Sequence, residues 1–156
     1  MAYALFLLLP GCPIAAMALA GYGLGRHRLR QADRQARLRS LAALAGSVAA
    51  AVYTLGLLCL TLAILDSDDS GADSAPLHPC RVAGHPERAA HVTDYRVEYI
   101  PLRYVCETTD GSDYSAAVVP GWVTPAAAGS GLAAVGCAGA AAYEGERRAR
   151  RGAATA

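Results

Sequence analysis

The sequence predicts a membrane protein of the all-α class, a three-helix transmembrane bundle with a small β-hairpin domain outside the cytoplasm. Three observations predict it. Ala2–Leu24, Leu41–Leu65 and Pro120–Tyr143 contain no Asp, Glu, Arg, Lys or His. The charges between them are segregated by sign. Two cysteines, Cys80 and Cys106, share the one long segment that carries the acids.

Each apolar stretch reaches the roughly 20 residues a helix needs to cross a hydrocarbon layer of about 30 Å. A buried helix of a soluble core is shorter and keeps a polar stripe. The predicted order is therefore a first span (2–24), an Arg-rich loop (25–40), a second span (41–65), a long loop (66–119), a third span (120–143) and a basic tail (144–156). In the first span Pro10 and Pro13 each remove a helix hydrogen bond and are expected to kink it. No basic residue precedes this stretch, so it reads as a retained span and not a cleaved leader. Leu9-Pro10-Gly11-Cys12 only faintly resembles a lipoprotein cleavage box.

Charge sets the expected orientation. Arg26–Arg39 holds six Arg and one Asp, the tail from Glu144 holds four Arg and two Glu, and Asp66–Val119 holds ten acids and four Arg. Short Arg-rich segments stay in the cytoplasm. The three balances agree on a multi-pass plasma-membrane protein with its N-terminus outside and its C-terminus in the cytoplasm. Tyr3 and Trp122 fall at the outer boundary and Tyr22 and Tyr143 at the inner one, as interfacial aromatics should. No charged residue lies mid-span, which argues against a pump or a coupled transporter. The basic residues are all Arg, and with abundant Ala and Gly they point to a GC-rich source.

Helices in lipid associate through small residues that let backbones approach. In the third span Gly129, Ala133, Cys137 and Ala141 recur every four residues, as do Ala126, Ser130, Ala134, Ala138 and Ala142. Ala42, Gly46, Ala50 and Thr54 make a shorter row in the second span, and Gly21 and Gly25 a single step in the first. The Gly129–Ala141 row is the candidate helix-packing face.

The long loop opens on Asp66-Ser-Asp-Asp-Ser-Gly-Ala-Asp, a solvated tether without the ligand spacing of a calcium loop. Strand character begins at Val92. Tyr95, Val97 and Tyr99 alternate with Arg96 and Glu98, and after Pro101 the alternation resumes with opposite parity through Leu102, Tyr104 and Cys106. That slip predicts a bulge on an edge strand. Thr109-Asp110-Gly111-Ser112 supplies turn chemistry, and Tyr114–Val119 is expected to return as the partner strand. A lone hairpin is marginal in water. A Cys80–Cys106 disulfide is expected to staple it, contributing about 3–4 kcal/mol. Cys12, Cys59 and Cys137 sit in spans and read as small apolar residues.

His78, Cys80, His85 and His91 match no standard metal spacing, and the disulfide consumes their thiol. No Ser occupies a nucleophile elbow. No metal, cofactor or small-molecule substrate is therefore expected, and the Arg-rich loop is too short for nucleic acid. Its six arginines are expected mainly to fix the topology, and near a membrane they would also attract anionic headgroups.

The run Tyr99-Ile100-Pro101-Leu102-Arg103-Tyr104-Val105-Cys106, with Asp110-Gly111 and then Val119-Pro120-Gly121-Trp122-Val123, resembles small uncharacterised membrane proteins of high-GC actinobacteria. In those proteins a similar outer hairpin ends at a Pro that opens the next span. The resemblance covers Tyr95 to Pro125 and implies topology and source, with no activity. The expected function is a non-enzymatic membrane protein with an outer interaction or sensing domain. The alternative is an accessory subunit of a transport or secretion complex. The expected partners are the lipid bilayer itself and a membrane protein or a second copy of the chain.

Overall fold

The computed structural model describes residues 2–29, 34–68, 78–81 and 86–154. Three long helices form on the three apolar stretches: α1 (Ala2–Leu29), α2 (Arg34–Asp68) and α5 (Val123–Ala153). All three are long and apolar enough to span a membrane. Each also runs past its apolar stretch. The segment expected as the loop 25–40 is largely helix, with residues 30–33 outside the described part, and the tail 144–156 is helical to Ala153. Arg, Gln, Ala, Leu and Glu are good helix formers, so a helix already nucleated continues into polar sequence. The helical assignment of α1 passes through Pro10 and Pro13. α5 begins three residues later than expected, after a turn in which the Val123 amide donates to the Pro120 carbonyl oxygen. Pro125 then sits in its first turn, where a missing N–H is tolerated.

The chain divides into two compact units. The first comprises Met1–Tyr53 and Pro125–Ala156. Small and polar residues mediate its helix contacts. The Ser40 hydroxyl donates to the Gly23 carbonyl oxygen at 2.7 Å, and a Cβ on Gly23 would lie 2.9 Å from Leu44 Cγ. A Cβ on Gly46 would lie 3.3 Å from Leu19 Cδ1 and 3.8 Å from the Ala134 Cβ. Gln35 Nε2 donates to the Ala141 carbonyl oxygen at 3.2 Å, and Arg34 pairs with Glu144 at 3.3 Å. The bulky residues point the other way: Ile14, Met17, Leu24, Leu41, Val48, Leu132 and Val135 are all exposed, Leu132 at 73%. Small residues inside and large apolar ones outside reverse the order found in a water-soluble core.

The second unit is Thr54–Thr124. It holds the end of α2, two single-turn helices absent from the expected order, α3 (His78–Arg81) and α4 (Pro86–Ala89), and a sheet of β1 (Val92–Tyr99), β2 (Leu102–Thr108) and β3 (Tyr114–Ala116). The sheet is antiparallel in the order β1-β2-β3. The expected hairpin is thus a three-stranded sheet, and Pro101 marks no bulge. The chain reverses there: Tyr99 pairs with Leu102 across the turn Ile100–Pro101, whose peptide is cis. Val97 then faces Tyr104 and Tyr95 faces Cys106. Directly paired residues share a face. A two-residue turn therefore pairs odd positions of one strand with even positions of the next. The parity slip is the signature of the reversal. The irregularity in the ladder lies at the other end, between Val92 and Asp94. β3 stops at Ala116, three residues short of the expected Val119.

Thr109–Ser112 does form the turn. The Gly111 amide donates to the Thr108 carbonyl oxygen, and Gly111 adopts a φ of 74°, which favours glycine. The Thr108 amide donates to the Asp113 carboxylate at 3.3 Å.

The second unit is tightest at Gly56. A Cβ built there would stand 2.6 Å from Leu102 Cδ1 and 2.9 Å from Val123 Cγ1. An alanine can be met by rotation of those two side chains, but a leucine cannot. Gly56→Leu should therefore lower the stability by roughly 1–3 kcal/mol through overpacking. Gly129→Leu, where a Cβ meets nothing within 4 Å, should leave it unchanged. Thermal unfolding of both variants in detergent micelles, followed by circular dichroism, checks the contrast.

Candidate functional site

The second unit is organised by one face of the sheet. Tyr104, Cys106, Tyr114 and Ala116 alternate onto it and are buried, and the Tyr95 and Tyr104 rings stack at 5.1 Å and 11°. Cys106 reaches Cys80 of α3 in a disulfide with a Cα–Cα distance of 6.1 Å. The Tyr114 hydroxyl donates to the Cys80 carbonyl oxygen at 3.0 Å, so strand β3 holds the other side of the same short helix.

The same face rests on the end of α2. Gly56, Leu57, Leu60, Ala63 and Ser67 are all buried and lie on one side of that helix, at steps of three and four residues. Leu102 packs into the notch at Gly56. At the far end the Ser67 hydroxyl donates to the Ala63 carbonyl oxygen at 2.7 Å. Its one proton is thereby committed, so it accepts from the Tyr104 hydroxyl at 2.9 Å. The chain Tyr104 to Ser67 to Ala63 satisfies two buried hydroxyls that would each be costly to leave unpaired. No buried side-chain nitrogen or oxygen among the described residues lacks a partner.

Beside this contact lies an open groove of about 570 Å³, lined by Cys59, Leu62, Ala63 and Asp66 of α2, Pro79 of α3, and Ala117 and Val118 after β3. Its size falls in the range of small-molecule and side-chain pockets. The walls are apolar, and Asp66 sets one carboxylate at one end of the helix row. Such a surface can hold an apolar group that carries a hydrogen-bond donor. The opposite face of the sheet is charged: Arg96 bridges Glu107 at 3.2 Å and Glu98 at 3.3 Å. In the adjacent turn the Thr108 side chain, with the backbone and Ser112, holds the Asp110 carboxyl below the usual carboxylate range.

Of the residues singled out from sequence, Cys80 and Cys106 are joined. Of the metal candidates, the Cys80 sulfur is bonded to Cys106 and His91 is exposed beside β1, while His85 and the His78 side chain lie outside the described part; among the described residues no group of His, Cys, Asp and Glu could hold a metal ion. Of the segment expected as an acidic tether, Asp66 to Asp68 continue α2 as helix, and the rest lies outside the described residues. Cys12, Cys59 and Cys137 are half-buried free thiols. The row Gly129, Ala133, Cys137 and Ala141 is split between faces, with Gly129 and Ala133 exposed, Cys137 half-buried and Ala141 buried. A strict four-residue step drifts about 40° around a helix of 3.6 residues per turn, so Gly129 and Ala141 point about 120° apart. The sheltered face alternates three and four: Ala127, Ser130, Ala134, Cys137, Ala141 and Glu144. Sequence reasoning missed Gly56, Ser67 and Tyr104. A lone glycine within the Leu-rich end of the second apolar stretch was the available signal.

Two measurements test this contact. Replacing both Cys80 and Cys106 with Ser should cost about 3.5 kcal/mol for a separation of 26 residues, read from the denaturation midpoint against unreduced protein. In a double-mutant cycle, Ser67→Ala and Tyr104→Phe should show a coupling of about 1 kcal/mol, and additive losses would mean that the hydroxyls do not bond.

No protein-family model matches this chain, and no curated protein or solved structure is significantly similar to it.

Proposed function

We propose that this chain is a three-span plasma-membrane protein whose disulfide-closed sheet stands outside the cytoplasm and acts as a non-enzymatic interaction or sensing domain. The observation that carries the reading is the seat of the sheet on α2. The last turns of a helix long enough to span a bilayer also form part of the sheet's core, through Gly56, Leu60, Ala63 and Ser67. A ligand or partner that bears on the sheet thus bears on residues of α2 itself.

Three features support the orientation. The disulfide belongs in an oxidising compartment. The acidic balance of Asp66–Val119 suits the translocated side, and the Arg-rich ends of α1, α2 and α5 suit the cytoplasm. The outward-facing leucines and valines of the long helices suit lipid as their surroundings.

A second reading, an accessory subunit docked on a larger membrane protein, is favoured by one observation. Gly129 and Ala133 are exposed on α5, and a Cβ on Gly129 meets nothing.

Orientation is checked in a background where Cys12, Cys59 and Cys137 are replaced by Ala. Thr109→Cys should react with a membrane-impermeant maleimide in intact cells, and Ala153→Cys only after lysis. The reverse pattern would sink the outer-domain reading. Function is checked by cross-linking in native membranes. Loss of a recovered partner on deleting residues 92–116, but not on Gly129→Leu with Ala133→Leu, is the expected result. The opposite pattern favours the accessory subunit, and unchanged recovery in both removes both readings.

A further inference from the structure

The contact at Gly56 also fixes how deep the sheet sits. Between Thr54 and Asp68, α2 has two sides. One lies against the sheet, and the other carries Leu55, Leu58, Leu62 and Leu65, all exposed and all on one stripe, with Leu62 at 66%. Leu65 ends the uncharged stretch, and Asp66 and Asp68 follow it. Gly56 lies nine residues before Leu65, about 13.5 Å along the helix axis. The sheet does not begin above the leucines. Going from Tyr104 to Leu102, strand β2 passes from contact with Ser67 to contact with Gly56, so it runs alongside the apolar stripe toward its lower end.

The turn Ile100–Pro101 follows Leu102 in that direction. Its composition differs from the rest of the sheet. Tyr99-Ile100-Pro101-Leu102 is uncharged, and the first charged positions on either strand, Glu98 and Arg103, face each other in the ladder. Ile100 is 92% exposed. Trp122 approaches the same contact from a different element: its neighbour Val123 packs on Gly56 beside Leu102, and the indole is 54% exposed. Leu55, Ile100 and Trp122 therefore come from a helix, a hairpin turn and a helix start, and each stands one or two residues from a member of the Gly56 contact. Exposed aromatic and aliphatic side chains around one contact, with an Arg one residue beyond it, are the chemistry of the boundary between headgroups and acyl chains.

Resting on the membrane reading above, we infer that the β1–β2 turn is a lipid-inserting tip. Ile100 enters the acyl boundary of the outer leaflet of the same bilayer that the helices cross, and Trp122 flanks it. The occupant of this exposed turn is the lipid surface and no second protein. The sheet is then anchored to the membrane at two points, by its seat on α2 and by its own tip, and its charged face carries Arg96, Glu98 and Glu107 outside the lipid.

Trp122 is the one tryptophan of the chain, which makes the test direct. Full-length protein is reconstituted in vesicles of phosphatidylcholine, either plain or brominated along the acyl chains, and indole emission is compared. Three proteins are used: the native chain, Ile100→Trp with Trp122→Phe, and Thr93→Trp with Trp122→Phe. Thr93 is exposed at the opposite end of β1. Disulfide formation on a non-reducing gel confirms that each variant has folded.

The indole at position 100 should lose half or more of its emission to the brominated chains and emit at shorter wavelength, and the one at position 93 should do neither. Quenching at 122 without quenching at 100 overturns the inserted tip and leaves the membrane spans standing. Equal quenching at 93 and 100 also overturns it, because the sheet would then lie in lipid as a whole. If no position is quenched and alkaline carbonate releases the native chain from its own membranes, the membrane reading fails first. If carbonate leaves it in place, only the tip fails.

Discussion

The second unit depends on the fit of strand β2 into the side of helix α2. At one end the fit is steric: Gly56 leaves room for Leu102 and Val123, and a side chain as large as leucine there would collide with both. At the other end it is polar, through the Tyr104 and Ser67 hydroxyls. The two ends are eleven residues apart on α2, about 16.5 Å, so together they fix the strand's tilt as well as its position. Sheet, disulfide and groove all follow from that placement. With β2 held on the helix, Cys106 is presented to Cys80, Tyr114 to the Cys80 carbonyl, and the residues after β3 to the row Cys59, Leu62, Ala63 and Asp66.

A three-residue strand and two single-turn helices hold little of their own. Sheets this small need either packing against a helix or a covalent tie, and this one has both. The two act on different states. The disulfide restricts the unfolded chain by closing the segment between Cys80 and Cys106. The Gly56 notch and the hydroxyl chain favour the folded state alone. Neither substitutes for the other, because a closed loop without a seat could still collapse in many ways.

What could be read from the sequence follows from how local its cause is. The apolar stretches and their charge flanks are local, so the long helices were legible and their extension into Arg- and Glu-containing sequence was not. The reversal at Pro101 was legible as a change of parity but ambiguous in meaning, since a bulge and a two-residue turn both shift alternation by one. Only the pairing of Val97 with Tyr104 decides it. The Cys80–Cys106 bond could be read by elimination within one segment. The Gly129–Ala141 row was only partly informative, because spacing by four does not keep residues on one face: Ala141 turned inward and Gly129 outward. Gly56, Ser67 and Tyr104 were out of reach, since their importance lies in contacts across 37 to 67 residues of chain.

Small residues inside and large ones outside have a further consequence for how the first unit is held. Burying glycine, alanine and serine removes little apolar surface from any solvent, so area alone cannot stabilise the contacts of Gly23, Gly46 and Ala134. What remains is close approach and hydrogen bonding, both present here. The Ser40 hydroxyl meets the Gly23 carbonyl oxygen at 2.7 Å, and Gln35 caps the Ala141 carbonyl oxygen at 3.2 Å. Such contacts are short-ranged and lose about a quarter to a half of their attraction if the helices separate by about 0.5–1 Å. In water the exposed leucines would draw the helices into other arrangements, because burying them would release more free energy than the native contacts hold. In hydrocarbon that competition vanishes, and the weak but well-fitted contacts become decisive. The packing of the first unit is therefore of the kind that an apolar solvent favours.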